Sequence, residues 1–320
     1  MKKQIKKIIE SLDPKILKLK KIKITSFKKL GVGEGNLNYV FKVKDKKFIA
    51  RINIDKEYPT KSKEEYDNLK IVEKLHHSPN VYYYHKKPGF IILDFIEGHP
   101  WRMKKTNYNK KQIIMLARTL ADLHSRTNNK LDKSSMKYQY YINEGIKYNK
   151  RINKFTKNKF KKELDELLKF IKQTLPKKEN HKFGIIHADV CPQNIVETKN
   201  DIKLIDWESL RLGDPARDIA GVLIDLKIKD KNLDLFMQEY QKVRQDKDIL
   251  RRAYIYAVLL RYVYVLWEIM RTHEIKQKKL PKEYLAKTSA QNHINEAKFQ
   301  QRQLNKLIDV PELNIEAMTK

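Results

Sequence analysis

One stretch of the chain, residues 185–208, holds the polar side chains best suited to chemistry, and it reads IIHADVCPQNIVETKNDIKLIDWE. Asp189 lies two residues after His187, Asn194 follows five residues later, and Asp206 lies twelve residues beyond Asn194. Because each polar residue stands beside β-forming residues, a hairpin would present Asp189, Asn194 and Asp206 at one edge of a rigid framework. Phosphoryl transfer needs a carboxylate that accepts the proton of an attacking hydroxyl, and oxygen ligands for Mg²⁺. The spacing therefore indicates a phosphoryl-transfer site.

The elements before about residue 98 are mostly strands, and a single helix interrupts them. Apolar residues from Tyr66 to Leu75 have helical spacing, and the helix should end before Ser78-Pro79. Ser62 followed by Glu65 has the spacing of a capping box. The predicted strands, rich in Ile, Val, Phe and Tyr, are Lys23–Leu30, Tyr39–Val43, Phe48–Asn53, Tyr82–Tyr84 and Phe90–Ile96.

The chain from Tyr108 onward is mainly helical in pattern. The exception lies between Gly184 and Ile205, where two small strands should flank a loop. The most hydrophobic stretch, Ala253–Met270, is interrupted by Arg261 and Glu268, which favours a buried helix over a membrane span.

The change of pattern predicts an α+β fold with a domain boundary after residue 97. Residues 1–97 are expected to form a small lobe around an antiparallel sheet, with residues 1–22 as an N-terminal extension. Residues 98–320 are expected to form a larger helical lobe that holds the catalytic loop and the acceptor pocket.

Composition narrows the class of protein. The 320 residues carry a formal net charge of +30, from 69 Lys+Arg against 39 Asp+Glu, which would concentrate anions around the folded chain. Since the lysines are spread along the whole chain, we interpret most of this charge as solvated background and only secondarily as a functional field. One cysteine excludes an intramolecular disulfide and a thiolate metal cluster. The N-terminus lacks the apolar core of a signal peptide, so we expect a cytoplasmic protein.

The motif HADVCPQN followed by LIDWE resembles the catalytic loop and metal-binding segment of the aminoglycoside phosphotransferase and choline kinase family, the small-molecule relatives of protein kinases. The resemblance implies a protein-kinase-like two-lobed fold. Matched residue by residue, it implies Asp189 as the catalytic base and His187 as a loop-orienting residue. It also implies Asn194 and Asp206 as metal ligands. Ala188 stands where glycine is usual in the family, a change that a slightly tighter loop could absorb.

Two further motifs extend the resemblance into the helical part of the chain. Gly213–Ala220, GDPARDIA, is similar to the family's G-D-P-x-x-D-L/I-A, which implies that Asp218 supports the catalytic loop. Leu120–His124 resembles the family's L-A-x-L-H helix.

The N-terminal lobe resembles the family's nucleotide-binding lobe. Val32–Val40 is similar to the glycine-containing loop in which backbone N–H groups approach phosphates, because glycine lacks Cβ. Phe48–Ile52 resembles the third strand, which carries Arg or Lys for the phosphates, and Leu93–Gly98 resembles the hinge whose backbone reads the adenine edge. The nucleotide-binding residues implied by the resemblance are Gly33, Gly35, Asn38, Arg51, Glu65, Phe95 and Ile96.

Several of these assignments have simpler alternatives. Gly33 and Gly35 could only shape a hairpin, and Arg51 could be a solvated strand residue. Glu65 could serve only the capping box, and Glu64 is one residue away as another partner for Arg51.

The resemblance implies a kinase that uses ATP (or GTP) and Mg²⁺ to phosphorylate a hydroxyl of a small molecule, such as an aminoglycoside, choline or another small alcohol. We expect no specific nucleic-acid partner and no membrane association, and the oligomeric state is left open. The alternatives are a kinase-like module that binds nucleotide without turnover, or a basic nucleic-acid-binding protein. The surplus of lysine would suit an anionic alcohol as well. Side chains that could bind a cationic acceptor are Asp225, Glu239, Trp267 and Glu268.

Overall fold

The computed structural model describes residues 2–32, 36–54, 61–101, 107–131, 137–176, 183–280 and 282–320. The chain forms two compact units. Residues 1–119 and 189–210 make up the first unit, and residues 120–188 and 211–320 make up the second. The lobe boundary after residue 97 stays a prediction.

The described residues form ten strands and eleven α-helices, numbered here in chain order. The strands are β1 (Ile24–Val32), β2 (Asn36–Val43), β3 (Lys46–Asn53), β4 (Val81–His85), β5 (Phe90–Asp94), β6 (His99–Pro100), β7 (Gly184–Ile186), β8 (Ile195–Glu197), β9 (Ile202–Leu204) and β10 (Arg211–Gly213). The helices are α1 (Lys2–Glu10), α2 (Lys61–Val72), α3 (Lys110–His124), α4 (Tyr138–Phe155), α5 (Lys161–Gln173), α6 (Ala216–Ile224), α7 (Asp230–Gln241), α8 (Ile249–Lys276), α9 (Lys282–Leu285), α10 (Ala290–Leu307) and α11 (Ile315–Met318).

A five-stranded antiparallel sheet forms the centre of the first unit, in the order β1-β2-β3-β5-β4. The five strands predicted for the N-terminal part are confirmed, with their ends shifted by a few residues. Along β2 and β3 the side chains alternate between a buried apolar face and a half-buried face. Arg51 lies on the second of these faces, because its neighbours Ala50 and Ile52 point into the apolar core.

The apolar face of this sheet is covered by the N-terminal segment, whose role the sequence did not indicate. Ile5 and Ile9 of α1, with Leu17 of the following short 3₁₀ turn, are fully buried in one core with side chains of β1, β2, β3 and β5. Phe41 and Phe48 stack at 5.3 Å between ring centroids within this core. The N-terminal segment is thus an integral layer of the first unit.

Helix α2 packs against β3, β4, β5 and the turn at residues 207–209. The helix and its end before Ser78-Pro79 are confirmed, but the predicted capping box is wrong. Ser62 lies inside the helix and its hydroxyl donates to the carbonyl of Gly89 at 3.3 Å, while the Glu65 carboxylate pairs with Arg51 at 2.8 Å. Tertiary partners take both side chains away from the local hydrogen bonds that the spacing predicted.

The second unit is built around α8, a helix of 28 residues that packs against α4, α6 and α10. By length and composition alone α8 could cross a membrane, but 72% of its most apolar window is buried inside the protein. The prediction of a buried helix is therefore confirmed. Strands β7 and β10 form a short antiparallel pair in which Gly184 lies opposite Gly213. The α+β class is confirmed by the sheet of the first unit and the helices of the second.

Candidate active site

A small hairpin places the predicted metal ligands next to each other. Strand β8 pairs with β9 through Ile195 opposite Leu204, and the N–H of Ile205 donates to the carbonyl of Asn194 at 3.0 Å. Asn194 therefore precedes one strand where Asp206 follows the other, at the same end of the hairpin.

Asn194 also binds the predicted base. Its Nδ2 donates to Asp189 Oδ2 at 2.7 Å and to the Asp189 carbonyl at 3.0 Å. Both hydrogens of the amide nitrogen thus point to Asp189, and the amide oxygen is the atom of Asn194 suited to a metal ion. Asn194 thus links the other two residues. Its side chain contacts Asp189, and its backbone carbonyl accepts from Ile205, the residue before Asp206.

The backbone at Asp206 is held in an unusual conformation. Its φ of 68° and ψ of 64° are left-handed, a region that Asp tolerates better than most residues. The following residue, Trp207, is fully buried and donates from Nε1 to the carbonyl of Leu204 at 2.8 Å. From α2, the Asn68 amide donates to the carbonyl of Trp207 at 2.9 Å. These contacts hold the turn that follows Asp206 in place.

Arg51 links β3 and α2 to the segment that holds Asp206, the predicted metal ligand. Its Nε donates to Glu65 at 2.8 Å, and its Nη2 donates to Asp206 and lies 4.0 Å from Glu208. The predicted pair with Glu65 is confirmed, against Glu64 and against a solvated Arg51, whose side chain is only 11% exposed.

The charges in this cluster perturb one another. Burial alone would lower the pKa of Arg51, but Asp206 and Glu65 together raise it above its ordinary value. Burial raises the pKa of Glu65, and the negative charges of Asp206 and Glu208 raise it further against the effect of Arg51. Three carboxylates thus lie around one guanidinium, which explains why the pKa of Glu65 is raised despite its ion pair with Arg51.

The remaining nucleotide-binding predictions fall partly on the described chain. Gly33 and Gly35 lie outside the described residues. Asn38 is opposite Arg51 in the β2–β3 register and shares its face, and in the described part of the chain its buried Oδ1 has no hydrogen-bond partner. Phe95 and Ile96 follow the end of β5 and are half-buried; the N–H of Phe95 donates to the carbonyl of Lys47 at 3.2 Å.

The residues just before Asp189 are fixed within the second unit. Asp218 accepts hydrogen bonds from the backbone N–H of His187 and of Ala188, both at 2.8 Å, so its predicted contact with this loop is confirmed, while the catalytic role of the loop stays a prediction. Arg217 donates from Nη2 to the carbonyl of Ala188 at 2.6 Å. Ala188 has a φ of 61°, where glycine is free of strain. We expected a tighter loop to absorb this alanine; the structure instead shows a left-handed residue whose N–H and carbonyl are both bound.

The side-chain oxygens of Asn194 and Asp206 are suited to bind Mg²⁺ together with the phosphates of a nucleotide. Among the described residues, no group of three or more His, Cys, Asp and Glu side chains could hold a metal ion. Mg²⁺ commonly takes one or two protein oxygen ligands and completes its shell with phosphates and water. The amide oxygen of Asn194 and the carboxylate of Asp206 are a set of that kind.

Four polar residues of this region were missed by the sequence reasoning. Glu208 lies 4.0 Å from Arg51, and the Asn36 amide donates to the Glu208 carboxylate at 3.4 Å. Asn68 had only one signal, its position three residues after Glu65 on the same helix face. Arg217 lay inside the quoted GDPARDIA motif without an assigned role.

The side chains considered for a cationic acceptor already contact groups of the second unit. Glu239 pairs with Lys242, and Glu268 pairs with His293. The other two are Trp267, whose ring lies 4.9 Å from the Arg271 guanidinium carbon, and Asp225, which accepts from Tyr264 at 3.5 Å.

Comparison with known proteins places these observations in a family. A model of the phosphotransferase enzyme family matches residues 26–253. A LicA homologue from Mycoplasma capricolum subsp. capricolum is 23% identical over 179 residues, which are 55% of this chain and 66% of that protein. The chain thus matches slightly less than two thirds of that relative's length.

Two solved structures are similar over nearly their whole length. The choline kinase LicA from Streptococcus pneumoniae superposes with a TM-score of 0.65 at 19% identity, over 93% of this chain and 98% of its own. The ADP-bound aminoglycoside phosphotransferase APH(2'')-Ib has a TM-score of 0.63 at 18% identity, over 93% of this chain and 100% of its own. These likenesses confirm the kinase-like fold. Since the family match spans well over half of the 320 residues, this chain belongs to the phosphotransferase enzyme family.

Proposed function

We propose that this protein is a phosphotransferase that moves the terminal phosphoryl group of ATP or GTP to a hydroxyl of a small molecule, with Mg²⁺ as cofactor. One observation carries the proposal most strongly: Asn194 binds Asp189 through its side chain while the β8–β9 hairpin sets Asp206 beside it. This arrangement offers a proton acceptor and two oxygen ligands, which is the set that phosphoryl transfer needs.

Asp189 is the proposed base. Its carboxylate would orient the acceptor hydroxyl and take its proton as the oxygen attacks the phosphorus, and Asn194 holds that carboxylate in place at 2.7 Å. His187 contributes through its backbone N–H, which Asp218 binds at 2.8 Å, and so orients the loop without touching substrate.

The nucleotide would be held by residues of the first unit. Asn194 and Asp206 would bind Mg²⁺, which supplies positive charge that offsets the charge developing on the phosphate oxygens. Arg51, held by Glu65 at 2.8 Å, would contact the phosphates, and the backbone around Phe95 and Ile96 would meet the adenine edge. Gly33, Gly35 and Asn38 are proposed for the phosphate loop.

The acceptor is proposed from the same family. The relatives named above include a choline kinase and an aminoglycoside phosphotransferase, so amino alcohols and amino sugars come first. The surplus of lysine adds anionic alcohols to the panel. We also propose a cytoplasmic location without a membrane or a specific nucleic-acid partner.

The decisive experiment measures nucleotide consumption with Mg²⁺ over a panel of choline-like, amino-sugar and anionic alcohols. Asp189→Asn should lower kcat by about 10²–10⁴-fold, the usual contribution of general base catalysis, while nucleotide binding by thermal shift stays near wild type. Asp201→Asn is the matched control, because Asp201 lies in the turn of the same hairpin and should leave kcat unchanged.

The outcomes separate the alternatives. Wild-type turnover by Asp189→Asn removes Asp189 from the role of base. Nucleotide binding with no turnover on any acceptor favours the binding module, and an RNA affinity that falls steeply with salt favours the nucleic-acid-binding protein.

A further inference from the structure

A buried chain of hydrogen bonds runs behind the predicted catalytic loop, entirely within the second unit. Tyr240 on α7 contacts His124 Nδ1 through its hydroxyl at 2.9 Å, and His124 Nε2 contacts Asp218 Oδ2 at 3.1 Å. Asp218 in turn accepts the N–H of His187 and of Ala188. Tyr240, His124, Asp218 and His187 are all fully buried, so water cannot replace a missing partner.

For a neutral His124 ring, the donors and acceptors in this chain have one consistent order. An ionised carboxylate only accepts, so the His124 nitrogen that faces Asp218 must carry a hydrogen. A neutral ring then presents the lone pair of Nδ1 to Tyr240, whose hydroxyl can donate to it. The opposite tautomer would place the lone pair of Nε2 against a buried negative charge.

The ionisation of the two flanking groups agrees with this order. Burial alone would raise the pKa of Asp218, but the hydrogen bond from His124 and the charge of Arg217 lower it below its ordinary value. Burial raises the pKa of Tyr240, which keeps its hydroxyl protonated. Asp218 is thus an anion, and the Tyr240 hydroxyl keeps the hydrogen that it can donate to Nδ1.

We propose that His124 and Tyr240 are positioning residues for the catalytic loop: Tyr240 donates to His124 Nδ1, which holds His124 as the Nε2–H tautomer, and that N–H completes the hydrogen-bond shell of Asp218. The proposal rests on the proposed function, since it assigns the loop at residues 187–189 to phosphoryl transfer. It adds two residues to that function, from α3 and α7, that lie behind the loop.

The backbone of Ala188 explains why the loop needs such support. A left-handed alanine, at φ 61°, persists only where its surroundings hold it, and Asp218 and Arg217 bind its two backbone polar groups. Asp218 can serve both N–H groups only while its carboxylate keeps one orientation. His124 fixes that orientation from behind, and Asp189 is the next residue along the chain after Ala188.

The first test is spectroscopic and needs no substrate. In the full-length protein labelled with ¹⁵N-histidine, His124, assigned by comparison with the His124→Gln spectrum, should show a protonated Nε2 and an unprotonated Nδ1 at neutral pH. A protonated Nδ1, as the neutral Nδ1–H tautomer or as an imidazolium, would overturn the proposed order. Amide hydrogen exchange at Ala188 should speed up in Tyr240→Phe, which removes only the hydroxyl; unchanged exchange would also overturn it.

The second test uses the fact that the amide nitrogens of Gln and Asn overlay different ring nitrogens of histidine. His124→Gln keeps a donor near Nε2, whereas His124→Asn keeps one near Nδ1 only. We expect His124→Asn to lower kcat on the order of 10- to 100-fold, as small misplacements of reacting groups do, with the KM for nucleotide unchanged. His124→Gln should recover most of that loss, which a purely structural role would not produce.

The two tests fail in distinguishable ways. If the wild type turns over no acceptor, the proposed function is wrong, while the ¹⁵N and exchange measurements still decide the hydrogen-bond order. If the wild type is active and a folded His124→Asn protein keeps its kcat, the positioning role is wrong and the proposed function stands. Should His124→Asn fail to fold, Tyr240→Phe carries the kinetic test, with an expected fall in kcat at constant KM; an unchanged kcat would contradict the role.

Discussion

At the scale of single residues, two positions of the candidate active site and its loop have an unusual backbone conformation. Ala188 and Asp206 are both left-handed, with φ of 61° and 68°. For an L-residue this region costs about 1–2 kcal/mol, and Asp recovers part of that cost through local hydrogen bonds. Alanine has no such compensation, so the two positions should respond differently to substitution.

Replacing Ala188 by glycine should stabilise the protein. Because alanine at positive φ costs more than the unfolded-chain entropy that glycine adds, Ala188→Gly should raise the free energy of unfolding by about 1 kcal/mol. Urea denaturation measures the change. Ala220→Gly is the control, since Ala220 lies inside α6, where the same substitution should destabilise by at least about 1 kcal/mol. A destabilised Ala188→Gly would contradict the argument.

Replacing Asp206 by asparagine should weaken metal-dependent nucleotide binding. Asparagine keeps the size and the tolerance for left-handed backbone but removes the charge. In the wild type, Mg²⁺-nucleotide at about 100 times its Kd should add about 2.7 kcal/mol to the free energy of unfolding, and Asp206→Asn should lose most of this gain.

The measurement for Asp206 is the difference in melting temperature with and without Mg²⁺-nucleotide. Asp201→Asn, in the turn of the same hairpin, should keep the full shift. An equal shift in Asp206→Asn would argue against metal ligation by Asp206.

At the scale of elements, sequence patterns predicted what depends on local spacing and missed what depends on distant contacts. The β8–β9 hairpin and the strands of the large sheet follow from alternation and turn residues, and both are present. The Arg51–Glu65 pair came from the family resemblance. The capping box failed because Ser62 and Glu65 have partners at Gly89 and Arg51 that helix spacing alone cannot reveal.

The same limit applies to the contacts that complete the site. Asn68 and Tyr240 act through side chains that meet segments far away in the sequence, 139 and 116 residues from their partners. Neither residue type nor spacing marks such a contact in one sequence. The packing of α1 on the sheet could not be predicted for the same reason, because the sequence of an amphipathic helix does not show which surface its apolar face contacts.

The burial of α1 predicts that the N-terminal segment stabilises the first unit. Ile9 is fully buried in the core with Phe41 and Phe48, so Ile9→Ala should cost about 2–5 kcal/mol. Lys7→Ala, on the exposed side of the same helix, should change stability by less than about 0.5 kcal/mol. Chemical denaturation of both variants decides, and equal stabilities would show that α1 contributes little to this core.

At the scale of the whole molecule, the net charge of +30 should act on the approach of anionic nucleotide. Surface charges are screened beyond about 10 Å at 0.1 M salt, so kcat/KM for the nucleotide should fall several-fold as salt rises from about 0.01 M to about 0.3 M. The kcat should stay constant, since bound nucleotide no longer depends on long-range attraction. A kcat/KM that does not change with salt would show that the surplus of lysine does not affect the binding of nucleotide.

The division of the chain between its two units limits how this protein can be recombined with its relatives. The chain passes from one unit to the other three times, at residues 119–120, 188–189 and 210–211. A chimaera joined at any single crossover between residues 120 and 188 would take Arg51 and Asn68 from one parent and Asp206 and Trp207 from the other. Exchange of residues 1–119 together with 189–210 would keep each set of partners from one parent, so these hybrids should be active where those with a single crossover between residues 120 and 188 are not.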